Sequence, residues 1–434
     1  MSNHNSHSTG HSGPRRHPAA LFAFAIVLLA VLVTGAPSTW GWKAEQVTKD
    51  GVLHVMNPAE SKEKPVTLEL EEEWRIGGED DEEIFGVITS IIADKKGNFY
   101  MLDSQLNEVK IYSSDGEFMD SIGREGEGPG EFRNPSNIFL VPNGDIGVLQ
   151  TFPGKIVTLT TAGDPGAEFP LPEIEGSGFR ILMQARHAGD KLAVIYALNQ
   201  NAETSFTQES ILALVDSDGP SEVRLFSQSA TMEFASPKIT EIGWDTFRNR
   251  WDASPDGRAF SATTFGEYAI TVWNSDGKID RVIHREYPEH KRTAEDKERL
   301  MGIYEGFTRR IPIPDLKIEI EDVFNQVTQV YARDDGTLWV LSSRGANNLD
   351  DGVMGVFDIY DKKGQFVTQV KLMGQGDPRK DGYFFVKDRL FVVTDFLAAM
   401  MALQGGGGSA EDAEEEPELM EIISYKVKSV GAAG

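Results

Sequence analysis

Short apolar stretches alternate along this chain with tight turns that contain Asp or Asn and Gly. Strand, turn and strand is the pattern of a β-hairpin. In the last of six such stretches Asp388 stands where the others have glycine. The six stretches are IIADKKGNFYMLD (91–103), FLVPNGDIGVLQ (139–150), ARHAGDKLAVI (185–195), WDASPDGRAFSA (251–262), VYARDDGTLWVLS (330–342) and FFVKDRLFVV (384–393).

A second turn follows each of the first five hairpins. These turns lie in YSSDGEFM (112–119), TTAGDPGAEF (160–169), VDSDGPSEV (215–223), WNSDGKIDRV (273–282) and YDKKGQFV (360–367). Two hairpin turns per unit indicate four strands, and we expect LMEIISYKVK (419–428) to supply the outer strands of the sixth unit. Six four-stranded antiparallel units of this length predict an all-β, six-bladed β-propeller.

The repeat also predicts the domain organisation. Residues 1–39 form an export signal or anchor, residues 40–65 a linker with an N-terminal strand, and residues 66–430 the propeller, with a helical insert at 287–320. The strand GVLHVMN (51–57) either closes the ring or adds to the edge of a blade. The expected blades span approximately 74–122, 123–172, 177–227, 244–286, 322–372 and 380–430.

A phenylalanine precedes the first strand of most units. We interpret these rings as structural plugs between adjacent blades, since a repeated apolar position is usually part of a core. The five plugs are Phe85, Phe132, Phe179, Phe247 and Phe324.

The glycine-rich stretch GREGEGPGEFRNP (123–135) is not a phosphate loop. A dinucleotide fingerprint that starts at Gly126 and Gly128 would need a third glycine where Glu131 stands. A Walker-type loop needs a lysine, and none lies between Gly123 and Pro135. The stretch is therefore expected to carry the chain from the first blade into the second, where glycines relieve crowding.

This stretch, together with GNFYMLDSQLNEVKIYSSDGEFMDSIG in the first unit and DDGTLWVLS in the fifth, resembles the six-bladed propellers of the NHL-repeat and TolB-like superfamily. The resemblance covers roughly residues 66–428 and is strongest to secreted bacterial propellers without an assigned activity. It implies the fold. It does not imply an activity, because propellers of this kind include binders, scaffolds, lyases and lactonases.

The strand path predicts where function would lie. The short Asp/Gly turns share one face of the propeller, and the long connections share the other. Loops carry most binding sites, so we expect the ligand or partner on the long-loop face. Its expected segments are 123–134, 199–210, 227–246, 286–323, 343–353 and 403–418.

The N-terminus and the charge limit location and partners. Arg15 and Arg16 precede fifteen apolar residues from Ala19 to Val33, which predicts export to the periplasm or the exterior, with an uncleaved membrane anchor as the alternative. A net charge of −26 argues against nucleic acid and anionic membrane as partners. The chain has no cysteine, which removes disulfides and thiolate chemistry.

One polar set has the spacing of a possible ligand site. In three successive units an arginine follows the plug phenylalanine, and equivalent positions in a propeller form a ring that could bind a carboxylate or phosphate. Pairing of each arginine with an acidic side chain of a neighbouring blade is the favoured alternative. The candidate residues are Arg133, Arg180, Arg248, Asn325 and Arg344.

No catalytic or metal motif accompanies this set, and we assign no cofactor and no metal ligand. We therefore interpret the chain as an exported binding or scaffolding propeller whose partner is a small anion or an envelope protein. A channel-mouth hydrolase or lyase of the lactonase or amidating-lyase kind is the alternative, and convergent Asp, Glu, Asn or His groups around a metal would favour it. A purely structural envelope protein is a third reading, which an exposed apolar patch on the helix at 290–305 would support.

Overall fold

The computed structural model of the chain describes residues 42–79, 84–167, 169–174, 178–216, 219–308, 313–403, 419–428 and 430. The expected export segment, residues 1–39, lies outside these residues, as does most of the acidic segment 403–418. None of the helices in the described part is long and apolar enough to cross a membrane.

Four strands precede the first complete blade. They are β1 (Glu45–Lys49), β2 (Val52–Asn57), β3 (Val66–Glu69) and β4 (Glu71–Gly77). We call the segment 42–77, which contains them, the strap.

Six blades surround a central channel, as the sequence predicts, and each begins with its innermost strand. Blade one comprises β5 (Ile88–Ala93), β6 (Phe99–Asp103), β7 (Glu108–Tyr112) and β8 (Phe118–Ile122). Blade two comprises β9 (Pro135–Leu140), β10 (Ile146–Gln150) and β11 (Lys155–Leu159). Blade three comprises β12 (Phe179–Ala188), β13 (Lys191–Asn201), β14 (Ser205–Asp216) and β15 (Glu222–Glu233), and β16 (Lys238–Thr240) follows it.

The second half of the chain completes the ring. Blade four comprises β17 (Trp251–Ala253), β18 (Ala259–Ser261), β19 (Ala269–Trp273) and β20 (Ile279–Arg285). Helix α1 (Ala294–Thr308) and strand β21 (Lys317–Glu319) follow blade four. Blade five comprises β22 (Val327–Ala332), β23 (Leu338–Ser342), β24 (Val353–Tyr360) and β25 (Phe366–Met373), and the short helix α2 (Ser343–Ala346) follows β23. Blade six comprises β26 (Gly382–Val386), β27 (Arg389–Val393) and β28 (Glu421–Lys426), with helix α3 (Phe396–Leu403) after β27.

The hydrophobic core is divided among the interfaces between blades. Six clusters of buried side chains are present, and each combines residues from two adjacent blades. The cluster between blades six and one, for example, joins Phe391 and Ile422 to Met101. Because both faces of a blade are covered, a second strand such as β6 is buried along its whole length.

Three of the phenylalanines interpreted as plugs are buried within these interfaces. Phe85 packs between blades six and one, Phe132 between blades one and two, and Phe247 between blades three and four. Phe324 is buried against the ring of His290, and Phe179 is partly exposed and packs edge-on against Phe152.

The strap is the feature that the sequence leaves open. The hairpin β1–β2 adds to the outer edge of blade four through parallel pairing of β2 with β20. Next, β3 pairs in parallel with β25 of blade five, and β4 pairs antiparallel with β28. The strand at 51–57 therefore extends an edge, while β4 closes the ring as the outer strand of blade six.

A buried asparagine fixes the strap where it passes from blade four to blade five. The amide of Asn57 donates to the carbonyls of His284 and Gly364, 2.9 Å away in each case, and its oxygen accepts from the backbone N–H of Phe366 at 2.9 Å. All three bonds run to different strands or turns, so Asn57 joins the edges of two blades.

Several expected details differ. The outer strand of blade six is β4 and not a C-terminal strand, because β28 takes the third place in that sheet; residues 74–77 thus belong to blade six. The segment 199–210, expected as a loop, is the end of the long β13–β14 hairpin, and 227–246 contains the end of β15 and β16. Blade two has three strands, and its returning chain makes only isolated bridges at Pro165 and Phe169.

The insert between blades four and five contains one helix, α1, and the strand β21, which pairs in parallel with β16. A buried ion pair anchors it: the guanidinium of Arg292 contacts both carboxylate oxygens of Glu241, at 2.5 and 2.6 Å. Leu300, Ile303 and Tyr304 are partly buried, whereas Phe307 is exposed.

Candidate functional site

The inner strands of all six blades enclose a cavity of about 380 Å³ in the central channel. It lies toward the end at which the turns after the inner strands are found, which we call the turn face. One lining residue from each blade, in order, is Ile92, Ile138, Arg186, Asp252, Tyr331 and Phe385. A volume of this size suits a small organic molecule.

The position of each polar lining residue follows from its place at the end of an inner strand. Asp252 and Tyr331 both lie five residues before a turn glycine, Gly257 and Gly336, and Arg186 lies three residues before Gly189 at the shorter turn of blade three. Inner strands run along the channel, so residues just before these turns approach the turn face together.

Arg186 and Asp252 form an ion pair across the interface of blades three and four. The Nε atom of Arg186 is 3.4 Å from Oδ1 of Asp252, and the side chains are 35% and 17% exposed. The geometry is too poor for a hydrogen bond, and the one hydrogen bond of the Arg186 guanidinium within the described chain goes to the carbonyl of Ala185 at 3.0 Å. Several of its N–H donors thus remain available to the cavity.

Asp252, by contrast, is well satisfied. Its Oδ1 accepts from its neighbour Ala253 N–H at 2.9 Å, and its Oδ2 accepts from Ala332 N–H of blade five at 2.8 Å. Burial raises the pKa of Asp252, while the charge of Arg186 and these N–H donors act in the opposite direction. The carboxylate therefore links three blades and leaves Arg186 as the group with unused bonding capacity.

The wall formed by blades five and six is aromatic. The rings of Tyr331 and Phe385 meet edge-on with centroids 4.8 Å apart, and the Tyr331 hydroxyl donates to Gln329. Burial raises the pKa of Tyr331, and nearby Asp252 adds to the effect, so the phenol stays neutral at ordinary pH. The guanidinium of Arg333 lies over Phe385 at 4.7 Å.

Two lysines border the cavity at the turn face. Lys387 is exposed, and its ammonium donates to the carbonyl of Asp94, while Lys95 is also exposed. Asp334 is the exposed acidic residue of this rim. The cavity thus combines apolar walls, the Arg186–Asp252 ion pair and a rim of mixed charge.

The structure places the sequence-predicted arginines in different surroundings. Arg133 is exposed and is paired with Glu127 at 2.9 Å and Glu125 at 3.8 Å, which belong to its own loop and not to a neighbouring blade. Arg180 is buried, donates to the carbonyl of Pro172 at 2.6 Å and lies 5.1 Å from the centre of the Tyr196 ring. Burial lowers the pKa of Arg180.

The other three residues of the predicted ring also lie in surroundings of their own. Arg344 donates to the carbonyl of Glu289 at 3.0 Å and lies over Tyr287. The buried side-chain oxygen of Asn325 has no hydrogen-bond partner in the described chain. Arg248 is partly buried, burial lowers its pKa, and it makes no hydrogen bond or ion pair with a described residue. No hydrogen bond or ion pair between described atoms joins any two of the five.

Sequence reasoning did not single out Arg186, Asp252 or Tyr331. The usable signal was their position three to five residues before a turn glycine, which places polar side chains near one end of the channel. Over the residues that the structure describes, no three His, Asp or Glu side chains lie close enough to share a metal ion.

Comparisons with known proteins concern the fold. A family model described as a 6-bladed beta-propeller, DUF5128, matches residues 79–178. No curated protein matches the chain.

Similar solved structures have low identity. A DUF4221 family member from Bacteroides vulgatus is 11% identical, with 83% of this chain and 98% of that chain covered and a TM-score of 0.46. A Bacteroides fragilis protein provisionally named as exported is 14% identical, with 84% and 99% covered and a TM-score of 0.44. A gluconolactonase from Xanthomonas campestris is 11% identical, with 82% and 98% covered and a TM-score of 0.41.

Proposed function

We propose that this propeller is a ligand-binding module and that its ligand is a small organic carboxylate held in the channel cavity at the turn face. The observation that carries the proposal is the Arg186 guanidinium, which borders the cavity with most of its donors unused. Arginine presents paired N–H donors that match a carboxylate, and such charge-assisted bonds are among the strongest in proteins.

The charge of the whole chain supports this assignment. At a net charge of −26 an anion needs a local cationic site, and Arg186 with the rim residues Lys95 and Lys387 provides one. Asp252 pairs with Arg186 at 3.4 Å without a hydrogen bond, so the guanidinium N–H donors that Asp252 does not accept can serve a second carboxylate.

The walls indicate the rest of the ligand. Tyr331 and Phe385 form one side of the cavity, and Ile92 and Ile138 belong to the other blades that line it. Apolar walls with a few polar groups are typical of pockets that hold small organic molecules. An aromatic or branched aliphatic monocarboxylate fits both the volume and the lining.

This proposal keeps the small anion of the sequence analysis and moves it from the long-loop face to the turn face. Export of the chain and an envelope protein as a partner on the long-loop face remain proposals based on the N-terminal segment and the loop lengths. The metal-dependent hydrolase or lyase stays a prediction that the experiment below also tests.

The test is thermal shift and calorimetry on the purified full-length chain with benzoate, phenylacetate and hexanoate. Benzamide and benzyl alcohol are neutral controls of matched shape. The carboxylates should stabilise the protein, by about 2.7 kcal/mol at one hundred times Kd, and the neutral compounds should not.

Arg186→Gln should weaken carboxylate binding about 10- to 150-fold, since a hydrogen bond to a charged group contributes about 1.5–3 kcal/mol. Arg258→Gln is the matched control, because Arg258 is engaged by Asp256 of its own turn. The proposal is wrong if no carboxylate binds or if Arg186→Gln binds as well as the wild type. Loss of carboxylate binding in Arg248→Gln, but not in Arg186→Gln, would place the site on the long-loop face. Stabilisation of the protein by Ca²⁺ or Zn²⁺ would favour the metal-dependent enzyme.

A further inference from the structure

Two histidines lie against each other where the strap meets blade four. The rings of His54 on β2 and His284 on β20 are stacked, with centroids 5.1 Å apart and planes at 14°. Nδ1 of His54 and Nε2 of His284 are 2.8 Å apart. One of these nitrogens must donate and the other must accept, so the contact exists only while at least one ring is neutral.

The surroundings of the pair oppose a second charge. Both rings are partly buried, and burial lowers the pKa of His284, with His54 and Lys49 contributing in the same direction. Neither histidine forms an ion pair with a described carboxylate. By the strand registers, the charged side chains on the same face of this sheet are Glu45 and Lys49 of β1 and Asp280 of β20, with Glu286 directly after β20. Lys43 and Glu267 line the same surface pocket as His284.

The strap hairpin is attached to blade four at few points. Every residue of β1 is exposed or partly exposed, and on β2 only Val55 and Asn57 are buried. The backbone ladder from β2 to β20, the three hydrogen bonds of Asn57 at the end of β2 and the histidine pair therefore carry much of the attachment. Local opening of such an edge costs far less free energy than unfolding of a blade.

We propose that the His54–His284 pair is a pH-sensitive latch that holds the β1–β2 hairpin on blade four and releases it in mild acid. Double protonation removes the hydrogen bond and places two like charges in contact. Release separates the rings and removes this repulsion.

Proton linkage gives the direction of the pH effect on the closed state and the pH range in which it occurs. A histidine whose pKa is lowered in the closed state binds more protons in the open state, so the closed state is fully favoured above the free value of about 6.5 and loses stability as the pH falls below it. Each additional proton bound on opening raises the opening equilibrium about tenfold per pH unit.

The experiment is hydrogen exchange with mass spectrometry on the full-length chain at pH 7.5, 6.5 and 5.5, corrected for the intrinsic exchange rate. Peptides that cover 45–57 should lose protection about fivefold between pH 6.5 and 5.5, since half of the free rings are already protonated at pH 6.5. Peptides from β6 and β7 of blade one serve as the internal reference and should not change.

His284→Gln and His54→Gln each remove one titrating ring, and either should abolish most of the pH response of the hairpin. His187→Gln, in blade three, is the matched control and should retain it. The proposal fails if the wild-type hairpin keeps its protection at pH 5.5, if the reference strands lose protection equally, or if the glutamine variants respond to pH as the wild type does.

Discussion

Replacement of Asp358 by asparagine tests whether a buried ionic network holds blades four and five together. Asp358 lies on β24 and is completely buried; its Oδ2 accepts from Arg285 of β20 and from the Tyr268 hydroxyl, at 2.6 Å in each case. Its Oδ1 accepts from the Gln369 amide at 2.8 Å. The Arg285 guanidinium also lies 4.4 Å from the centre of the Phe366 ring.

The asparagine has almost the same shape, so packing is kept while the charge is lost. In either orientation of the asparagine amide, its NH2 group faces another donor: the Gln369 NH2 group on one side, or Arg285 and the Tyr268 hydroxyl on the other. Removal of one partner from a buried ion pair leaves the other charge uncompensated and costs about 3–5 kcal/mol. That is a change of two to four powers of ten in the unfolding equilibrium.

The assay is equilibrium unfolding in urea at low salt, because urea does not screen charges. Asp280→Asn is the control: Asp280 pairs with Arg281 on the exposed side of β20, and exposed pairs contribute about 0–1 kcal/mol. A loss of 1 kcal/mol or less in Asp358→Asn would refute the reasoning. The double variant Asp358→Leu with Arg285→Met should recover part of the loss, since no charge is then left unpaired.

Two further predictions concern turns and caps. Gly97 and Gly277 both have positive φ, 94° and 74°, but an added methyl group meets open space at Gly97 and the Val223 side chain at Gly277. In urea titrations, Gly97→Ala should lower the free energy of unfolding by about 1–2 kcal/mol and Gly277→Ala should lower it clearly more. Equal losses in the two variants would contradict the steric argument. The buried Asp103 carboxylate accepts four backbone N–H groups, from Gly86 at 2.8 Å and from Val87, Gln105 and Leu106 at 3.1 Å. Asp103→Ala should therefore lower the free energy of unfolding by about 3 kcal/mol or more. A loss no larger than that of an exposed substitution would show that water replaces these hydrogen bonds.

The sequence predicts the blades because their signals are local. A turn glycine such as Gly97, with φ of 94°, and the apolar residues on either side lie within one hairpin, so its strands can be read from a dozen residues. The strap is different, since β2 and β3 pair with strands more than two hundred residues away. Nothing near Val55 indicates that its partner is Ile283.

The candidate site was harder to predict for a related reason. Arginine spacing from the plug phenylalanines groups positions by their place in the repeat, but it does not report what each side chain meets. Arg133 meets glutamates of its own loop and Arg180 meets a carbonyl and a ring, contacts that depend on loop conformation. Arg186 and Asp252 come together because two strands from separate blades end at the same level.

The path of the strap also governs the order in which the molecule can form. Asn57 precedes its partner His284 by 227 residues, and Arg75 precedes Glu421 by 346. During synthesis β2 can pair with β1 at once but must wait for β20, and β4 must wait for β28, until nearly the whole chain has appeared. Contacts of such long sequence separation slow folding. A chain that lacks β28 would keep β4 without this partner, so the ring can close only after β28 has been made.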